Sequence, residues 1–429
     1  MLTSVLVVFL VGIVTSVPIA VTIGLASIVP ALIDPSFAGS IQLVIRSTLT
    51  GVDNTAILAV PLFILSGAIM ARGGISKKLF DVFAYLIGDR TAGIPIAVVC
   101  TCLFYGAISG SGIATAAAVG GMTIPLMIQL GYDKVFAAAL VATAGGLGVI
   151  IPPSIPFIFY GLFTGTSVGS MFTAGIIPGL LIGACLMAYS YIYCKRHGED
   201  KEKIRANYMA LREKGLWKVF KESFWALLSP IIILGGIYSG IVTPTEAADI
   251  SVVYALVICV FVYKTVEIKK VPQFFIETVR SYAPLLILMG LATAFGRVLS
   301  LAQAPALLGD YLTSTFTSKI AFLLALNVVL LFLGMVMDVG PAVMILAPIL
   351  MPAATALGIH PVHLGIVMVM NLAIGFVTPP FGVNLFVTAP LIQTPVMKVG
   401  AKAYPFVAAF IVALVLVTVF PAISLVLLG

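Results

Sequence analysis

Apolar runs of membrane-spanning length follow one another along nearly the whole chain, and they constrain its fold more than any other feature. Residues 135–194, for example, contain no charged side chain. With 61% hydrophobic and 9% charged residues, the chain has too little polar surface for a soluble domain. The runs do not alternate in polarity, as the strands of a transmembrane barrel would. The sequence therefore predicts an all-α polytopic membrane protein. Its N-terminal run lacks the basic start of a signal peptide, so we expect an uncleaved first segment.

One polar segment, residues 194–225, interrupts this pattern near the middle of the chain. Its charged part is rich in helix-forming residues, and Trp217 and Trp225 lie towards its end. This pattern predicts an amphipathic helix in contact with membrane lipids, with the tryptophans at the headgroup layer. A solvated loop is the alternative.

The apolar halves on either side contain an internal repeat. Six residues recur 227 positions later: Pro125, Leu130, Gly131, Gly148, Pro152 and Pro153 correspond to Pro352, Leu357, Gly358, Gly375, Pro379 and Pro380. Gly106 and Gly112 recur as Gly334 and Gly340 with a slip of one residue. A doubled Pro-Pro with a glycine at a fixed distance indicates a duplicated structural unit.

Each unit is predicted to hold a re-entrant helical hairpin followed by a broken transmembrane helix. The hairpins are expected near 92–130 and 320–357, and the broken helices near 135–162 and 363–388. Four apolar segments lie between the first broken helix and the second hairpin. Together with the first broken helix itself, they give five crossings. Because five is odd, the second unit enters the membrane from the opposite side, and the repeats are predicted to be inverted.

These elements predict the following organisation. N-terminal stator helices occupy 1–91 (the threading of 1–55 stays open), a first transport repeat 92–162, a transmembrane helix 163–193, a polar cytoplasmic connector 194–225, further stator or connecting helices 226–302, a second, inverted transport repeat 303–388, and a C-terminal helix 389–429.

Basic residues fall almost entirely on one side of this arrangement. All except Arg46, Arg297 and Lys319 are placed on the face that carries the connector. The positive-inside rule identifies that face as cytoplasmic. Membrane topology therefore explains the net charge of +7, and no nucleic-acid partner is expected. If each hairpin were two full crossings, the basic residues would lie on the same sides of the membrane. The charge distribution therefore does not distinguish a re-entrant hairpin from two full crossings.

Four Gly- or Pro-rich interruptions break the apolar helices, at 108–115, 145–154, 336–343 and 373–384. Unsatisfied amide groups are costly in hydrocarbon, so irregular backbone is tolerated only where it lines a cavity or binds something. Half-helix N-termini suit carboxylates, and unwound carbonyl groups suit a hard cation such as Na⁺. The alternative is that these residues simply kink packed helices.

The side chains at the interruptions define a predicted site. We expect Na⁺ to bind at Ser109, Ser111, Gly145, Gly148, Pro152, Asp338, Gly340, Gly375, Thr378 and Pro379, and the substrate at Thr115, Ser154, Arg297, Asn371 and Asn384. Chains of Asp, Glu and His that would relay protons do not occur in the sequence, which favours Na⁺ over H⁺. Asp338 could instead cap the following helix. Arg297 could meet a substrate carboxylate, extend to the membrane surface or pair with an acidic group.

At these motifs the chain resembles the large membrane subunit of tripartite ATP-independent periplasmic (TRAP) transporters, the DctM-like family. The resemblance rests on "LTGVDNTAILAVPLFILSGAIM", "GGLGVIIPPSIPFIFYG" and "IGFVTPPFGVNLF". More distantly, the chain is similar to divalent-anion/Na⁺ symporters of the ion-transporter superfamily, which carry Ser-Asn-Thr at each hairpin tip. Here the tips read Ser111-Gly112-Ile113 and Val339-Gly340-Pro341, which shifts weight from side-chain to backbone contacts.

The resemblance implies an elevator-type, Na⁺-coupled importer of an organic acid in the bacterial inner membrane. The cargo would be a carboxylate such as a C4-dicarboxylate or sialic acid, moved with two or more Na⁺ ions and no other metal. The expected partners are a separate small four-helix membrane subunit and a periplasmic substrate-binding protein.

Three other functions are weighed against this one. An ion channel would need a ring of like charges or a filter motif, and an intramembrane enzyme would need a catalytic set; the sequence shows neither. An autonomous Na⁺/carboxylate symporter, which needs no binding protein, is the main alternative.

Overall fold

Helices form the regular structure of the computed structural model, which describes residues 2–34, 37–316 and 318–429, and no strand occurs in these ranges. The N-terminal helices are α1 (Leu2–Val14), α2 (Ile19–Ile33), α3 (Ile41–Val52), α4 (Ala59–Arg72) and α5 (Ile75–Ile87). Three short helices thus occupy the stretch whose threading the sequence left open. Ser40 caps α3 by accepting a hydrogen bond from Leu43 N at 3.3 Å.

The first repeat contains two helix pairs. A hairpin is formed by α6 (Gly93–Ser109) and α7 (Gly112–Gln129), and a broken helix by α8 (Lys134–Gly145), the 3-10 turn Gly146–Val149 and α9 (Ile155–Thr164). Gly110 adopts a φ of +62° between α6 and α7, a conformation that glycine allows at little cost. The hairpin and the interruption lie where the sequence predicts them.

The middle of the chain contains α10 (Val168–His197), α11 (Lys201–Glu213), α12 (Leu216–Tyr238), α13 (Pro244–Leu256) with its π-helical continuation Val257–Val262, and α14 (Val271–Leu301). The predicted amphipathic connector is α11. The boundaries at 194 and 225 differ from the structure, because α10 continues to His197 and both tryptophans lie in the first turns of α12.

The second repeat follows the order of the first. After α15 (Ala304–Thr315), a helix that the sequence did not predict, come α16 (Lys319–Gly334), α17 (Val339–Ala356), α18 (Pro361–Gly375) and α19 (Val383–Thr388), and then α20 (Val396–Val419) and α21 (Ala422–Leu425). The α16–α17 pair is the second hairpin, and α18 and α19 are the halves of the second broken helix.

Eight helices in the described ranges are long and apolar enough to cross a membrane by length and composition. They include α10, α12, α13 with its continuation, and α14 with its preceding turn. These are the four crossings that the sequence places between the repeats.

Packing separates two groups of helices. In one group, α14 packs along α2 and α3, and α13 packs on α4. In the other, both repeats pack around α10 and α20. The helices α10 and α20 therefore pack with the repeats, while the division into stator and moving helices stays a prediction. The groups meet where α14 contacts α17 and α4 contacts α6.

Candidate functional site

Pairs of glycines bring each hairpin against its own broken helix. A Cβ atom added to Gly106 would lie 2.9 Å from the Cα of Gly148, and one added to Gly375 would overlap the carbonyl of Gly334. The sequence matches Gly106 with Gly334 and Gly148 with Gly375. Both close backbone contacts thus occur at equivalent places in the repeat, and they explain why these positions are glycine.

The tip of the first hairpin is a small network of oxygen atoms. The hydroxyls of Ser109 and Thr115 lie 2.9 Å apart, and the Thr115 hydroxyl donates to the Ser111 carbonyl at 2.8 Å. Ser111 caps α7 by accepting a hydrogen bond from Ala114 N at 3.4 Å. Three residues of the predicted Na⁺ and substrate sets therefore share one cluster, the tip-1 cluster (Ser109, Ser111 and Thr115).

This tip touches the interruption of the first broken helix. Ile155 N donates a hydrogen bond to the Gly110 carbonyl at 3.2 Å. A Cβ atom on Gly148 would lie 2.6 Å from the Ser111 carbonyl oxygen and would overlap the Thr115 hydroxyl. The tip of the first hairpin thus packs against the middle of the first broken helix. Because α7 and α17 are themselves among the eight candidate spans, re-entry of the hairpins stays a prediction.

Both doubled prolines lie in these interruptions. The Pro152–Pro153 and Pro379–Pro380 peptide bonds are cis. Ser154, after the first pair, caps α9 by accepting from Phe157 N at 3.3 Å, and its hydroxyl donates to the Val149 carbonyl at 2.5 Å. Its side chain is therefore engaged by its own segment.

The second interruption reaches across to the first repeat. Asn384 donates a hydrogen bond to the Ala142 carbonyl of α8 at 2.9 Å, and its fully buried Oδ1 has no partner among the described residues. A Cβ atom on Gly145 would lie 3.1 Å from Asn384 Nδ2. Thr378, in contrast, is turned back to donate to Ile374 O at 2.7 Å.

Helices of the two repeats also pack against each other. The helix after each interruption packs on the second hairpin helix of the other repeat, α9 on α17 and α19 on α7. At one of these contacts, a Cβ atom on Gly340 would lie 3.2 Å from the Phe159 ring. At the other tip, a Cβ atom on Gly112 would lie 2.6 Å from the ring of Phe376, which directly follows α18. Sequence reasoning did not identify either phenylalanine, because nothing in a single sequence pairs residues so far apart.

The tip of the second hairpin carries the carboxylate. Asp338 is the N-cap residue of α17, and its Oδ1 accepts a hydrogen bond from Val339 N at 2.9 Å. The capping alternative is therefore present in the structure. The half-buried carboxylate keeps its second oxygen, Oδ2, without a hydrogen-bond partner among the residues described. Asp338 can therefore cap the helix and still offer an oxygen to a cation.

The tip-1 cluster, the first interruption and Asn384 meet in one region, which we call the convergence. Two predicted substrate residues lie outside it. Asn371 donates to both oxygens of Asn327 at 2.9 Å, and Asn327 in turn donates to the Thr418 hydroxyl at 2.9 Å. This buried cluster joins α16, α18 and α20. Asn327 and Thr418 were not predicted, although a lone amide in an apolar helix is a signal that could have found Asn327. Arg297 is exposed and donates to Ser47 Oγ of α3 at 3.1 Å.

A carboxylate outside the membrane holds the basic end of the first repeat. Glu199, between α10 and α11, accepts from Ala92 N at 3.0 Å and from the Tyr132 hydroxyl at 2.5 Å. Burial and this carboxylate raise the pKa of Tyr132, so the phenol stays a neutral donor. Glu199 thereby ties the start of α6 and the loop before α8 to the connector.

The convergence offers oxygen atoms of the kind that Na⁺ binds. Hydroxyls and the Ser111 carbonyl meet at the tip-1 cluster, and Asn384 adds a buried carbonyl oxygen for which the described residues supply no donor. Such an orphaned acceptor is costly to bury unless it meets a cation or a donor. No group of three or more His, Cys, Asp or Glu residues suited to another metal occurs in the described ranges.

A family model covers nearly the whole chain. Residues 6–423 match the model described as "Tripartite ATP-independent periplasmic transporter, DctM component".

Curated relatives agree with that match. The isethionate TRAP transporter permease protein DctMQ of Oleidesulfovibrio alaskensis is 42% identical over 90% of this chain, and the chain spans 61% of that relative's length. The C4-dicarboxylate TRAP transporter large permease protein DctM of Pseudomonas aeruginosa is 40% identical, with 87% of this chain and 86% of the relative covered. The sialic acid TRAP transporter large permease protein SiaM of Vibrio cholerae is 36% identical, with 90% of this chain and 89% of the relative covered.

Solved structures share the fold. The YdaH transporter of Alcanivorax borkumensis has a TM-score of 0.60 at 18% identity, covering 90% of this chain and 89% of its own. Neisseria gonorrhoeae MtrF has a TM-score of 0.63 at 11% identity, covering 89% and 84%. The family match and the candidate spans together show that the chain belongs to the DctM component family of tripartite ATP-independent periplasmic transporters, as a multi-pass transporter permease of the bacterial inner membrane.

Proposed function

We propose that the chain imports an organic acid together with Na⁺ by an elevator movement of its two repeats. The observation that carries this proposal is the convergence of the tip-1 cluster, the first interruption and Asn384 in one region of the fold. Irregular backbone gathered there inside a membrane protein is best explained by ligand binding.

Na⁺ is the coupling ion in this proposal, and two or more ions are carried. The tip-1 cluster and the Asn384 carbonyl oxygen form one candidate site, and the free oxygen of Asp338 with the second interruption forms another. At these sites Gly148 and Gly375 allow a close approach of backbone, and Gly145 and Gly340 leave room for Asn384 and the Phe159 ring.

The substrate is an organic anion. The N-termini of α7, α9 and α17 all lie at hairpin tips or interruptions, and helix N-termini stabilise negative charge. The three relatives described above are named for isethionate, C4-dicarboxylate and sialic acid, which supports an organic acid as the cargo. Arg297 remains a predicted substrate contact.

The moving body consists of both repeats with α10 and α20, and the stator of α2–α4 and α12–α14. This division follows the packing, because α10 contacts α6, α9 and α18 while α14 contacts α2 and α3. A cavity of about 280 Å³ lies at the boundary, between Thr50 and Thr293 of the stator and Phe163 and Pro348 of the repeats. A moving body can slide along a stator only if few bonds join the two. A water-accessible cavity at their boundary reduces the direct contact between them.

A small membrane subunit and a periplasmic substrate-binding protein complete the proposed transporter. The tripartite family supports these partners. The chain spans only part of the isethionate permease, so the activity of the whole assembly is proposed here and not carried over.

Uptake into proteoliposomes tests the proposal. Isethionate, a C4-dicarboxylate and sialic acid are supplied in turn, with an inward Na⁺ gradient, the small subunit and a binding protein. We expect accumulation of one of them that stops when K⁺ replaces Na⁺. Accumulation that persists in K⁺ would contradict Na⁺ coupling, and full uptake by this chain alone would favour the autonomous symporter.

A further inference from the structure

A cavity outside the convergence lies on the basic face of the molecule. It has a volume of about 390 Å³ and lies between α5, α7 and α11. Lys77, Gln129 and Lys214 form a polar rim, and Phe80, Met122 and Leu126 form an apolar wall. One side of the cavity therefore suits a charged group and the other a hydrocarbon chain.

A second cavity continues from the same lysines. It has a volume of about 270 Å³, and its lining includes Lys77, Lys78, Asp81 and Lys214. Lys78 is engaged, because its ammonium lies 4.2 Å from the centroid of the Tyr263 ring. Lys77 and Lys214 are exposed and form no ion pair or hydrogen bond within the described part of the chain. Asp81 lines both cavities and Glu222 lines the second one, so the three lysines still outnumber the two acidic residues.

The exposed start of α12 fixes the depth of this region. Trp217 is 79% exposed and Leu216 is 53% exposed, directly after the end of α11. An exposed tryptophan beside a basic helix is typical of the lipid headgroup layer. A cavity at that level, with exposed ammonium groups and an apolar wall, lies where phospholipids are the most abundant amphiphiles.

We propose that this cavity binds an anionic phospholipid, with its phosphate between Lys77 and Lys214 and an acyl chain along Phe80, Met122 and Leu126. A free inorganic anion would use the lysines but leave the apolar wall bare. A neutral phospholipid would leave the excess positive charge uncompensated. The bound lipid contacts α7 of the first hairpin and α11 of the connector at once, so it lies between the first repeat and the segment that follows α10.

Native mass spectrometry of the purified chain tests this site directly and does not depend on transport. Phosphatidylglycerol and phosphatidylcholine with the same acyl chains are added in turn to wild type, to Lys77→Gln/Lys214→Gln, and to the control Lys218→Gln/Lys221→Gln. The control removes the same charge from exposed lysines that line neither cavity.

We expect wild type and the control to prefer phosphatidylglycerol, and Lys77→Gln/Lys214→Gln to bind it at least about tenfold more weakly, because each basic residue near an anionic lipid surface contributes about fivefold. Three results would overturn the proposal: unchanged binding in Lys77→Gln/Lys214→Gln, an equal loss in the control, or no preference for phosphatidylglycerol in wild type.

A third variant guards against misfolding. Gln129→Glu places a negative charge on the exposed rim and removes no lysine, so the chain should keep its wild-type melting temperature. It should weaken phosphatidylglycerol binding several-fold and leave phosphatidylcholine binding unchanged. Wild-type phosphatidylglycerol binding in a folded Gln129→Glu variant would also overturn the site.

Discussion

The two hairpin tips have equivalent backbone contacts but carry different side chains. At the first tip, two hydroxyls and a carbonyl already bond to one another, and Asn384 of the other repeat lies across the interruption. At the second tip, the carboxylate of Asp338 caps its helix through one oxygen, and the other has no hydrogen-bond partner in the described ranges. The close glycine contacts are thus alike in the two repeats, whereas the proposed ligand groups are neutral at the first tip and charged at the second.

The contacts at the basic end of the first repeat also differ from those at the corresponding end of the second. Glu199 of the connector holds the first repeat through Ala92 and Tyr132. In the second repeat, Lys319 donates to the Gly358 carbonyl at 2.9 Å from the start of the hairpin itself. The first repeat is therefore tied to a neighbouring segment, and the second is closed on itself.

The largest effect is expected where the repeats are alike. Gly148→Ala would overlap Thr115 and the Ser111 carbonyl, and Gly375→Ala would overlap the Gly334 carbonyl. Overpacking against backbone costs about 1–3 kcal/mol or more, and both variants should lose Na⁺-dependent uptake almost completely. Gly121→Ala on α7 is the control, since a Cβ atom there meets nothing within 4 Å. Wild-type uptake in either variant would show that the close backbone contact is not required.

The next effect separates the charged tip from its capping role. Asp338→Asn keeps a good N-cap side chain but removes the charge, whereas Asp338→Ala removes both. We expect both variants to lose Na⁺-dependent uptake, and only Asp338→Ala to lose about 1 kcal/mol of stability as well. Uptake assays and thermal unfolding in detergent measure the two properties separately. Full uptake by Asp338→Asn would reduce Asp338 to a cap.

A smaller effect is expected at the neutral tip. Thr115→Val removes a hydroxyl from the tip-1 cluster and keeps the shape of the side chain, so we expect about a tenfold rise in the Na⁺ concentration for half-maximal uptake. Thr115→Ser keeps the hydroxyl and should restore most of the wild-type value. An unchanged Na⁺ dependence in Thr115→Val would remove this hydroxyl from the ion site.

The smallest effect compares the two end contacts. Glu199→Ala leaves a buried amide and the Tyr132 hydroxyl without their acceptor, and hydrogen bonds to charged groups contribute about 1.5–3 kcal/mol. Lys319→Ala removes an exposed hydrogen bond to a backbone carbonyl, which water can replace and which we expect to contribute about 0.5 kcal/mol. In thermal unfolding, the melting temperature of Glu199→Ala should therefore be well below that of Lys319→Ala. Equal melting temperatures would mean that the connector does not hold the first repeat.

Much of the fold follows from sequence because helix breaks in a membrane have local causes. Gly110, Ser111 and the two Pro-Pro pairs mark the tips and interruptions by their own backbone preferences. The capping box of Thr243 and Glu246 is another local signal, formed by two residues three positions apart, with Thr243 N donating to Glu246 Oε2 at 2.7 Å. Each of these signals lies within a few residues of the feature that it predicts.

The rest depends on contacts between distant segments. Asn371 was predicted at the site because it precedes Pro379 along the chain, and the structure adds that its amide nitrogen donates to Asn327, a contact that the sequence did not predict. The membership of α10 in the repeat group, the position of Phe376 against Gly112 and the Glu199 contact all depend on tertiary packing. A single sequence carries no pattern that pairs such residues.

Na⁺ binding to the purified chain, in the absence of substrate and partners, tests the central claim most directly. The melting temperature is measured in detergent with increasing NaCl at constant ionic strength, with KCl making up the difference. A ligand that binds only the folded state stabilises it by about 2.7 kcal/mol at a hundred times its dissociation constant. We predict a rise in melting temperature with Na⁺ for wild type that is lost in Thr115→Val/Asp338→Asn. An identical response to Na⁺ and K⁺ in the wild-type protein would contradict a Na⁺ site at the broken helices.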